Sequence, residues 1–360
     1  MTEITSEPAE PTKPSGLGAM RRRAVAVEEL IETSTAGDNP LPLFARPAMD
    51  GVDLADWAAS HGDELNAWFD KHGAILFRGF GLKGAEDFER AAGAIAGDEL
   101  FADYGDLPPE SASERVYGST PYPADKMILF HNESSHLPTW PLRQFFFCVI
   151  PSETGGTTPL LDSRAVYQAL DPAIREQFES KGLTYVRNFS EGIDVPWQDF
   201  FHTDDRAEVE RICAESGMTC EWTASGGLRI SQVSPAVVEH PRTGEKLFFN
   251  QVQLHHVYCL DAETRDSLRQ LFSEEDMPRN VYFGDGTPIP DETMEYIGNL
   301  YEELCVDFPW ESGDLVAVDN MLVQHARRPF TGERKLLVAM ARMSGLDEVG
   351  AARKPVGGAA

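Results

Sequence analysis

The chain has 360 residues, of which 42% are hydrophobic and 25% are charged. This composition supports a sizeable core in one large or two modest domains, and it excludes disorder of the whole chain. With 59 acidic and 31 basic residues the net charge is −28, which repels phosphate backbones and anionic membranes. We therefore expect no nucleic-acid partner and no membrane partner.

The two ends of the chain differ in composition from the middle. Residues 1–37 are rich in Pro, Glu, Thr, Ser and Ala and predict a mobile tail, as do the Gly/Ala-rich residues 347–360. One domain is expected over residues 38–346. The N-terminus lacks an apolar leader segment, and no apolar run is long enough to span a bilayer. Five irregularly spaced cysteines indicate reduced thiols, so we expect a cytoplasmic protein.

Short apolar runs and helical periodicities alternate along the middle of the chain. In chain order we predict a strand at 74–80, a helix at 86–96, strands at 144–150 and 158–162 joined by a turn, a helix at 164–180, a strand at 183–189, a helix at 205–216, strands at 227–233 and 246–254, helices at 262–274 and 291–304, and strands at 313–320 and 335–342. This pattern favours a mainly β fold, a sandwich or jelly roll with helical insertions. No GxGxxG or P-loop motif supports a nucleotide-binding fold.

A histidine and a carboxylate lie two residues apart in the segment FHNESS. On a strand, or on a loop just leaving one, residues i and i+2 lie on the same side, so His131 and Glu133 can offer nitrogen and oxygen to one point. With a second histidine, such ligands occupy one face of Fe(II) and leave positions for substrate and dioxygen. The spacing alone is a weak signal and is more typical of a surface histidine beside an acidic residue.

Two further segments carry residues suited to binding a carboxylate. In residues 313–334, an apolar strand precedes a polar turn and His325, and Arg334 stands directly before the next strand. A guanidinium can bind both oxygens of a carboxylate. In TGGTT, which ends at Thr158, two glycines permit a tight turn and the threonines supply hydroxyls. Taken singly, these features also fit a loop histidine, a surface arginine and a hairpin turn.

In this order the three segments resemble the Fe(II)/2-oxoglutarate-dependent oxygenases of the taurine dioxygenase and clavaminate synthase-like superfamily. The resemblance implies a double-stranded β-helix, a jelly roll of the cupin-like kind. It implies that His131, Glu133 and His325 hold Fe(II), and that Arg334 and Thr158 bind the C5 carboxylate of 2-oxoglutarate. It further implies that O2 and 2-oxoglutarate are consumed and succinate is formed as a substrate C–H bond is oxidised.

The resemblance covers residues 43–343, and the segments FHNESS and FFNQVQLHH are similar to the branch that hydroxylates amino acids in peptide natural-product pathways. It implies an amino-acid-type substrate, free or attached to a carrier protein, that is hydroxylated at an unactivated carbon. Desaturation and ring formation are alternatives with the same cofactors. Glu133 argues against a halogenase, in which Gly or Ala stands at this position. Val338 replaces the second arginine of taurine dioxygenase and argues against taurine.

Four polar residues are candidates for contacts with the substrate: Asn250, Gln251, His255 and Arg143. Each also fits a structural role, and Asn250 and Gln251 could satisfy backbone groups within an apolar strand. His136 is expected to support the site, not to bind metal. Two other functions stay open, a non-catalytic module that binds a carrier protein and a zinc hydrolase with the same three ligands. Formation of succinate would separate both from an oxygenase.

Overall fold

The computed structural model describes residues 30–349 except 38, 103–114, 120, 190–194 and 224–225. The strands are β1 (Ile31–Ala36), β2 (Asn39–Pro47), β3 (Ala74–Phe77), β4 (Tyr117–Gly118), β5 (Ile128–His131), β6 (Thr139–Ile150), β7 (Thr154–Gly155), β8 (Leu160–Asp162), β9 (Leu183–Phe189), β10 (Thr219–Trp222), β11 (Leu228–Ser234), β12 (Val237–Glu239), β13 (Lys246–Phe248), β14 (Arg279–Phe283), β15 (Leu315–Asp319), β16 (Val323–Arg327), β17 (Phe330–Thr331) and β18 (Lys335–Gly345).

The helices cover the outside of the larger sheet and fill the connections between strands. They are α1 (Leu54–Ser60), α2 (Gly62–His72), α3 (Ala85–Ala96), α4 (Ser163–Ala169), α5 (Pro172–Lys181), α6 (Trp197–Phe201), α7 (Arg206–Glu215), α8 (Val252–His255), α9 (Ala262–Leu271) and α10 (Asp291–Leu304). In the described part of the chain, no helix has the length and apolar character needed to cross a bilayer.

Two sheets packed face to face form the jelly roll that the sequence predicts. The larger sheet has the strand order β1-β2-β3-β15-β6-β18-β4, and the smaller sheet has the order β5-β16-β8. Leu160 and Val323 of the smaller sheet belong to the same buried cluster as Phe146 and Val338 of the larger sheet. The prediction of a mainly β fold with helical insertions is confirmed.

Strand β6 explains the continuous apolar run QFFFCVI. Its alternate side chains point to opposite faces of the sheet. Phe146 and Cys148 join the core between the two sheets, whereas Phe145 and Phe147 pack under helices α1–α3. Because both faces of this strand are covered, it lacks the alternation of apolar and polar residues that a half-exposed strand shows.

Both predicted domain boundaries need correction. Residues 31–36, predicted to belong to the tail at 1–37, form β1 and pair with β2, with Ile31 opposite Pro47. Most side chains of β1 are exposed, so backbone hydrogen bonds hold the strand and composition does not reveal it. Val349, predicted to belong to the tail at 347–360, is buried in the core. Residues 1–29 and 350–360 lie outside the described residues.

Three predicted elements differ from those observed. The predicted strand at 246–254 ends at Phe248, because the Asn250 side chain accepts a hydrogen bond from the Val252 amide and a short helix follows. The predicted helix at 164–180 is divided where Asp171 caps α5. The predicted strands at 144–150 and 158–162 do not pair with each other, since β6 and β8 lie in opposite sheets. The turn between them therefore crosses the sandwich.

Candidate metal centre

The structure brings the three predicted metal ligands together. His131 ends β5 and lies directly opposite His325 of β16, and Glu133 follows two residues later. The two imidazole ring centroids are 4.3 Å apart, and Nε2 of His131 is 3.9 Å from Oε2 of Glu133. One ligand atom from each of the three residues lies within 4.8 Å of the other two. Residues distant in sequence thus form one cluster of two nitrogens and one oxygen.

The hydrogen bonds of the two imidazoles leave nitrogen lone pairs for a metal. Nδ1 of His131 is 2.7 Å from the carbonyl oxygen of Leu129, which can only accept, so Nδ1 carries the proton and Nε2 is free. Nδ1 of His325 is buried and has no hydrogen-bond partner among the described residues. Burial holds the pKa of His325 well below its usual value, so this imidazole is neutral. The donor set fits a ferrous ion with open positions.

Asn320, at the turn between β15 and β16, fixes the backbone that carries Glu133. Its Oδ1 accepts a hydrogen bond from the Glu133 amide at 2.7 Å, and its Nδ2 donates to the carbonyl oxygen of Glu133 at 2.9 Å. The same Nδ2 also donates to the Pro141 carbonyl at 2.9 Å. In the sequence this residue stands within the polar turn before His325, without a predicted role. A polar residue five positions before a candidate ligand was the available signal.

Replacing Asn320 with alanine is expected to lower the affinity for Fe(II) or Mn(II) by about 10–100-fold, because supporting residues orient metal ligands. Titration of the metal-free protein with Mn(II) measures this. Asn188→Ala is a matched control, since it removes two comparable bonds, to the carbonyls of Glu275 and Met277, away from the cluster. Equal metal affinity in the two variants would show that Asn320 does not position Glu133.

Arg334 and Thr158 also lie together. Arg334 donates from Nε to the Gly156 carbonyl at 2.9 Å, and its second terminal nitrogen is 3.5 Å from Oγ1 of Thr158. Burial and the neighbouring Arg327 guanidinium lower the pKa of Arg334 to about 10. No carboxylate among the described residues lies within ion-pair distance of Arg334. A half-buried cation without an acidic partner favours binding of an anion.

Gly156 permits this arrangement. Its φ of +67° is in the left-handed region, and a Cβ there would lie 3.1 Å from Cδ of Arg334 and 2.4 Å from Oγ of Ser152. Any side chain at this position would therefore displace Arg334. The two glycines of TGGTT predict a close backbone approach, and Gly156 makes that approach to Arg334.

Trp310 is a site residue that the sequence analysis did not identify. Its indole Nε1 donates to Oγ1 of Thr158 at 3.2 Å, and both side chains are buried. Because this oxygen accepts from Trp310 and faces Arg334, its own proton is left to donate to a ligand in the cavity. No motif in the sequence pointed to Trp310, because its role depends on a contact across 152 positions.

The variant Trp310→Phe keeps the aromatic packing and removes this hydrogen bond. We expect the KM for 2-oxoglutarate to rise about two- to twelvefold, which corresponds to about 0.5–1.5 kcal/mol for one hydrogen bond. Steady-state assays with varied 2-oxoglutarate measure the change. Trp57→Phe, buried under the outer face of the larger sheet, is the control for loss of an indole elsewhere. A KM that is unchanged in Trp310→Phe would contradict the role given to Trp310.

The five residues predicted to bind the metal and 2-oxoglutarate line one cavity of about 450 Å³. The cluster His131, Glu133 and His325 shares it with Thr158 and Arg334. The other lining residues are mostly apolar: Pro121, Ile128, Leu137, Phe146, Ala326, Leu336, Val338, Met340 and Met343, with Ser119, Ser134, Thr139, Gln144 and Arg327 as polar members. Apolar walls exclude water and strengthen electrostatic interactions inside the cavity.

Two other arginines near His325 are already engaged. Arg327 donates to the carbonyls of Tyr122 at 3.1 Å and of Lys126 at 2.6 Å. These bonds tie residues 122–126 to β16. Arg328 is paired with carboxylates, those of Glu302 and Asp307. Of Arg327, Arg328 and Arg334, only Arg334 is placed to receive a carboxylate in the cavity.

None of the residues predicted to contact the substrate lines this cavity. Asn250 and Gln251 are buried and hold neighbouring backbone, Gln251 through a bond from Nε2 to the Asn132 carbonyl at 3.0 Å. The half-buried His255 ring packs against the rings of Tyr185 and His136, with centroids 5.0 and 5.3 Å away. Their alternative role, satisfying backbone groups, is the one observed. The structure therefore places these three residues outside the cavity lining, and substrate contact by them stays a prediction.

Arg143 also lies outside the cavity, so the structure gives no support to its predicted contact with the substrate. It is 1% exposed and forms a buried ion pair with Asp319. Its guanidinium lies 4.0 Å from the ring centroid of Phe69 of α2, on the face of the larger sheet opposite the cavity. Odd-numbered positions of β6 point toward the helices, and the sequence analysis did not apply this alternation to Arg143.

His136 lies outside the metal cluster, as predicted. It is buried beside His255, with the ring centroids 5.3 Å apart, and burial lowers its pKa to about 4. The supporting role expected for it stays a prediction.

Comparisons with known proteins agree on one family. The model of the family described as taurine catabolism dioxygenase TauD, TfdA family matches residues 37–340. The dapdiamide synthesis protein DdaC of Enterobacter agglomerans is 35% identical over 268 residues, 74% of this chain and 82% of that protein. A clavaminate synthase-like protein of Arabidopsis thaliana is 32% identical over 288 residues, 77% of this chain and 84% of that protein.

A solved structure shows the same fold at low sequence identity. The PvcB protein of Pseudomonas aeruginosa superimposes with a TM-score of 0.51 at 16% identity, over 88% of this chain and 93% of that protein. The shared fold is the jelly roll described above.

Proposed function

The chain belongs to the TauD/TfdA family of Fe(II)- and 2-oxoglutarate-dependent dioxygenases, and from this premise we propose that it hydroxylates an unactivated C–H bond of an amino acid in natural-product biosynthesis. As an oxidoreductase of this family it uses Fe(II), 2-oxoglutarate and O2. The substrate class, the outcome of oxidation and the roles of individual residues are the proposed parts.

We assign His131, Glu133 and His325 to Fe(II), and Arg334 with Thr158 to the C5 carboxylate of 2-oxoglutarate. The observation that carries this assignment is the unpaired Arg334 guanidinium in the same cavity as the cluster. Bound Fe(II) supplies the redox chemistry that couples decarboxylation of 2-oxoglutarate to oxidation of the substrate. A zinc hydrolase would have no use for an arginine without an acidic partner at this position.

The protein's own contribution is to orient the substrate and to exclude water. The Phe146 ring lies 5.0 Å from the His325 ring, and Val338 and Met340 continue the apolar wall beyond it. The C–H bond that this wall holds nearest the metal is the bond that reacts. Val338 supplies no cation for a sulfonate, which supports the exclusion of taurine. Desaturation or ring formation results instead if the wall holds the substrate carbon in a position that disfavours its hydroxylation.

The amino-acid substrate is supported by the relative whose name describes dapdiamide synthesis, because that name places it in a biosynthetic pathway. Presentation of the substrate by a carrier protein is an alternative to a free amino acid. We also propose a cytoplasmic location, which agrees with five free cysteines and with a need for reduced iron.

A screen of free and carrier-bound L-amino acids tests the proposed function. We expect one amino acid to gain one oxygen atom by mass spectrometry and to release succinate, only when Fe(II), 2-oxoglutarate and O2 are all present. A product that has lost two hydrogens would indicate desaturation or ring formation instead of hydroxylation. Tight binding of a carrier protein without use of 2-oxoglutarate would favour a binding module.

A further inference from the structure

Gln144 presents a buried amide to the cavity. It lies on β6, is 2% exposed and is among the lining residues. Its Oε1 is buried and has no hydrogen-bond partner within the part of the chain that the structure describes. Its neighbours on the cavity side are apolar, Phe146 on the same strand and Met340 opposite it on β18. Buried amide oxygens are rarely left without a donor, so this one calls for an explanation.

A structural role does not explain this amide. Gln324 also has a buried Oε1 without a partner among the described residues, but it donates from Nε2 to the Phe248 carbonyl at 3.0 Å and so ties β16 to the end of β13. Gln251 holds the backbone beside the metal cluster in the same manner. The Gln144 side chain, in contrast, makes no hydrogen bond to any described residue through Oε1 or through Nε2. Turning the amide by 180° exchanges its oxygen and nitrogen but still leaves one polar atom to be satisfied.

The register of β6 and β18 places Gln144 at the end of the cavity away from Arg334. Cys148 pairs with Leu336, close to Arg334, whereas Gln144 pairs with Met340, four residues farther along. At about 3.3 Å per residue, the two positions are about 13 Å apart. A five-carbon diacid held at Arg334 does not reach that far.

The metal cluster lies between these two ends. Phe146, whose ring is 5.0 Å from the His325 ring, stands midway along β6 between Cys148 and Gln144. The cavity therefore has the unpaired guanidinium on one side of the cluster and the unpaired amide on the other. The amide side is the part left for the substrate.

We propose that the side-chain amide of Gln144, turned by 180° so that Oε1 faces the cavity, accepts a hydrogen bond from an N–H group of the substrate, an ammonium or a carboxamide. This inference rests on the proposed function, because it takes the cavity beyond the cluster as the substrate site. Gln144 then selects substrates that combine an apolar chain, for Phe146 and Met340, with one N–H donor. An analogue without the donor leaves the amide unsatisfied and is rejected.

Two matched pairs of probes test this selection. L-leucine is compared with 4-methylpentanoate, which lacks only the amino group, and L-glutamine with its N5,N5-dimethyl derivative, which lacks only the amide N–H groups. Calorimetric titration without oxygen, in the presence of Fe(II) and 2-oxoglutarate, gives each dissociation constant. We expect the wild-type enzyme to prefer the donor-bearing member of at least one pair by about 5- to 150-fold.

The variant Gln144→Met keeps the length of the side chain and removes the acceptor. In this variant the ratio of the two dissociation constants in that pair should fall close to one. The melting temperature should be unchanged or raised, because an unsatisfied polar group has been removed. Gln232→Met is the matched control, since Gln232 also has a buried Oε1 without a partner among the described residues but does not line the cavity. It should retain the wild-type preference.

The outcomes separate this inference from the proposed function. If the wild-type enzyme binds both members of each pair equally or not at all, or if Gln144→Met retains the preference, the assignment of Gln144 is wrong and the proposed reaction stands. If the amino-acid screen yields no succinate with any member, the proposed function fails and this inference fails with it.

Discussion

Replacing Glu133 with glutamine is expected to reduce 2-oxoglutarate decarboxylation by more than about a hundredfold and to weaken Fe(II) binding to a similar degree. The side chain keeps its size, but the anionic oxygen that completes the cluster with His131 and His325 is lost. Loss of a residue that only supports a metal ligand costs roughly 10–100-fold, so loss of the ligand itself should cost more. Metal titration and succinate release under saturating 2-oxoglutarate measure the two effects.

The control for this variant is Glu239→Gln, which removes an exposed carboxylate of β12. It should leave metal binding and succinate release unchanged. Both variants should keep the melting temperature of the metal-free protein, because neither carboxylate is buried in a core cluster. Full turnover in Glu133→Gln would contradict the assignment of this residue to the metal.

Replacing Arg334 with glutamine is the second large effect. We expect the KM for 2-oxoglutarate to rise roughly 30- to 5,000-fold, corresponding to about 2–5 kcal/mol for losing one partner of a buried charge pair. Lysine should not restore full affinity, because the guanidinium donates simultaneously to Gly156 and toward the cavity. Calorimetry of 2-oxoglutarate binding measures the loss directly.

Strand β18, which begins directly after Arg334, offers a control for it. Arg342 lies on β18 and lines a separate cavity beside α1 and α3. Arg342→Gln should leave the affinity for 2-oxoglutarate unchanged. If Arg334→Gln and Arg342→Gln bind 2-oxoglutarate as tightly as wild type, the carboxylate is held elsewhere and the assignment of Arg334 fails.

The sequence was informative where chemistry depends on residue type and local spacing. His131 and Glu133 are two residues apart, and Arg334 stands directly before a strand, so their proximity to a common cavity could be anticipated from strand geometry and family resemblance. The apolar runs of β6 and β15 likewise mark strands that are covered on both faces.

The sequence was least informative where a role depends on distant contacts. Trp310 bonds to Thr158, and Asn320 to the Glu133 backbone, across gaps that no local pattern encodes. Arg143 shows the complementary difficulty. A polar residue in an apolar strand suggests a site, but its partner Asp319 lies on the far side of the sheet.

A crystal structure with Mn(II) and 2-oxoglutarate tests the central claim most directly. We expect one metal ion bonded to nitrogens of His131 and His325 and to an oxygen of Glu133. We also expect the far carboxylate of the diacid against Arg334 and Thr158. A metal ion bound at other residues, or a diacid that makes no contact with Arg334, would contradict it.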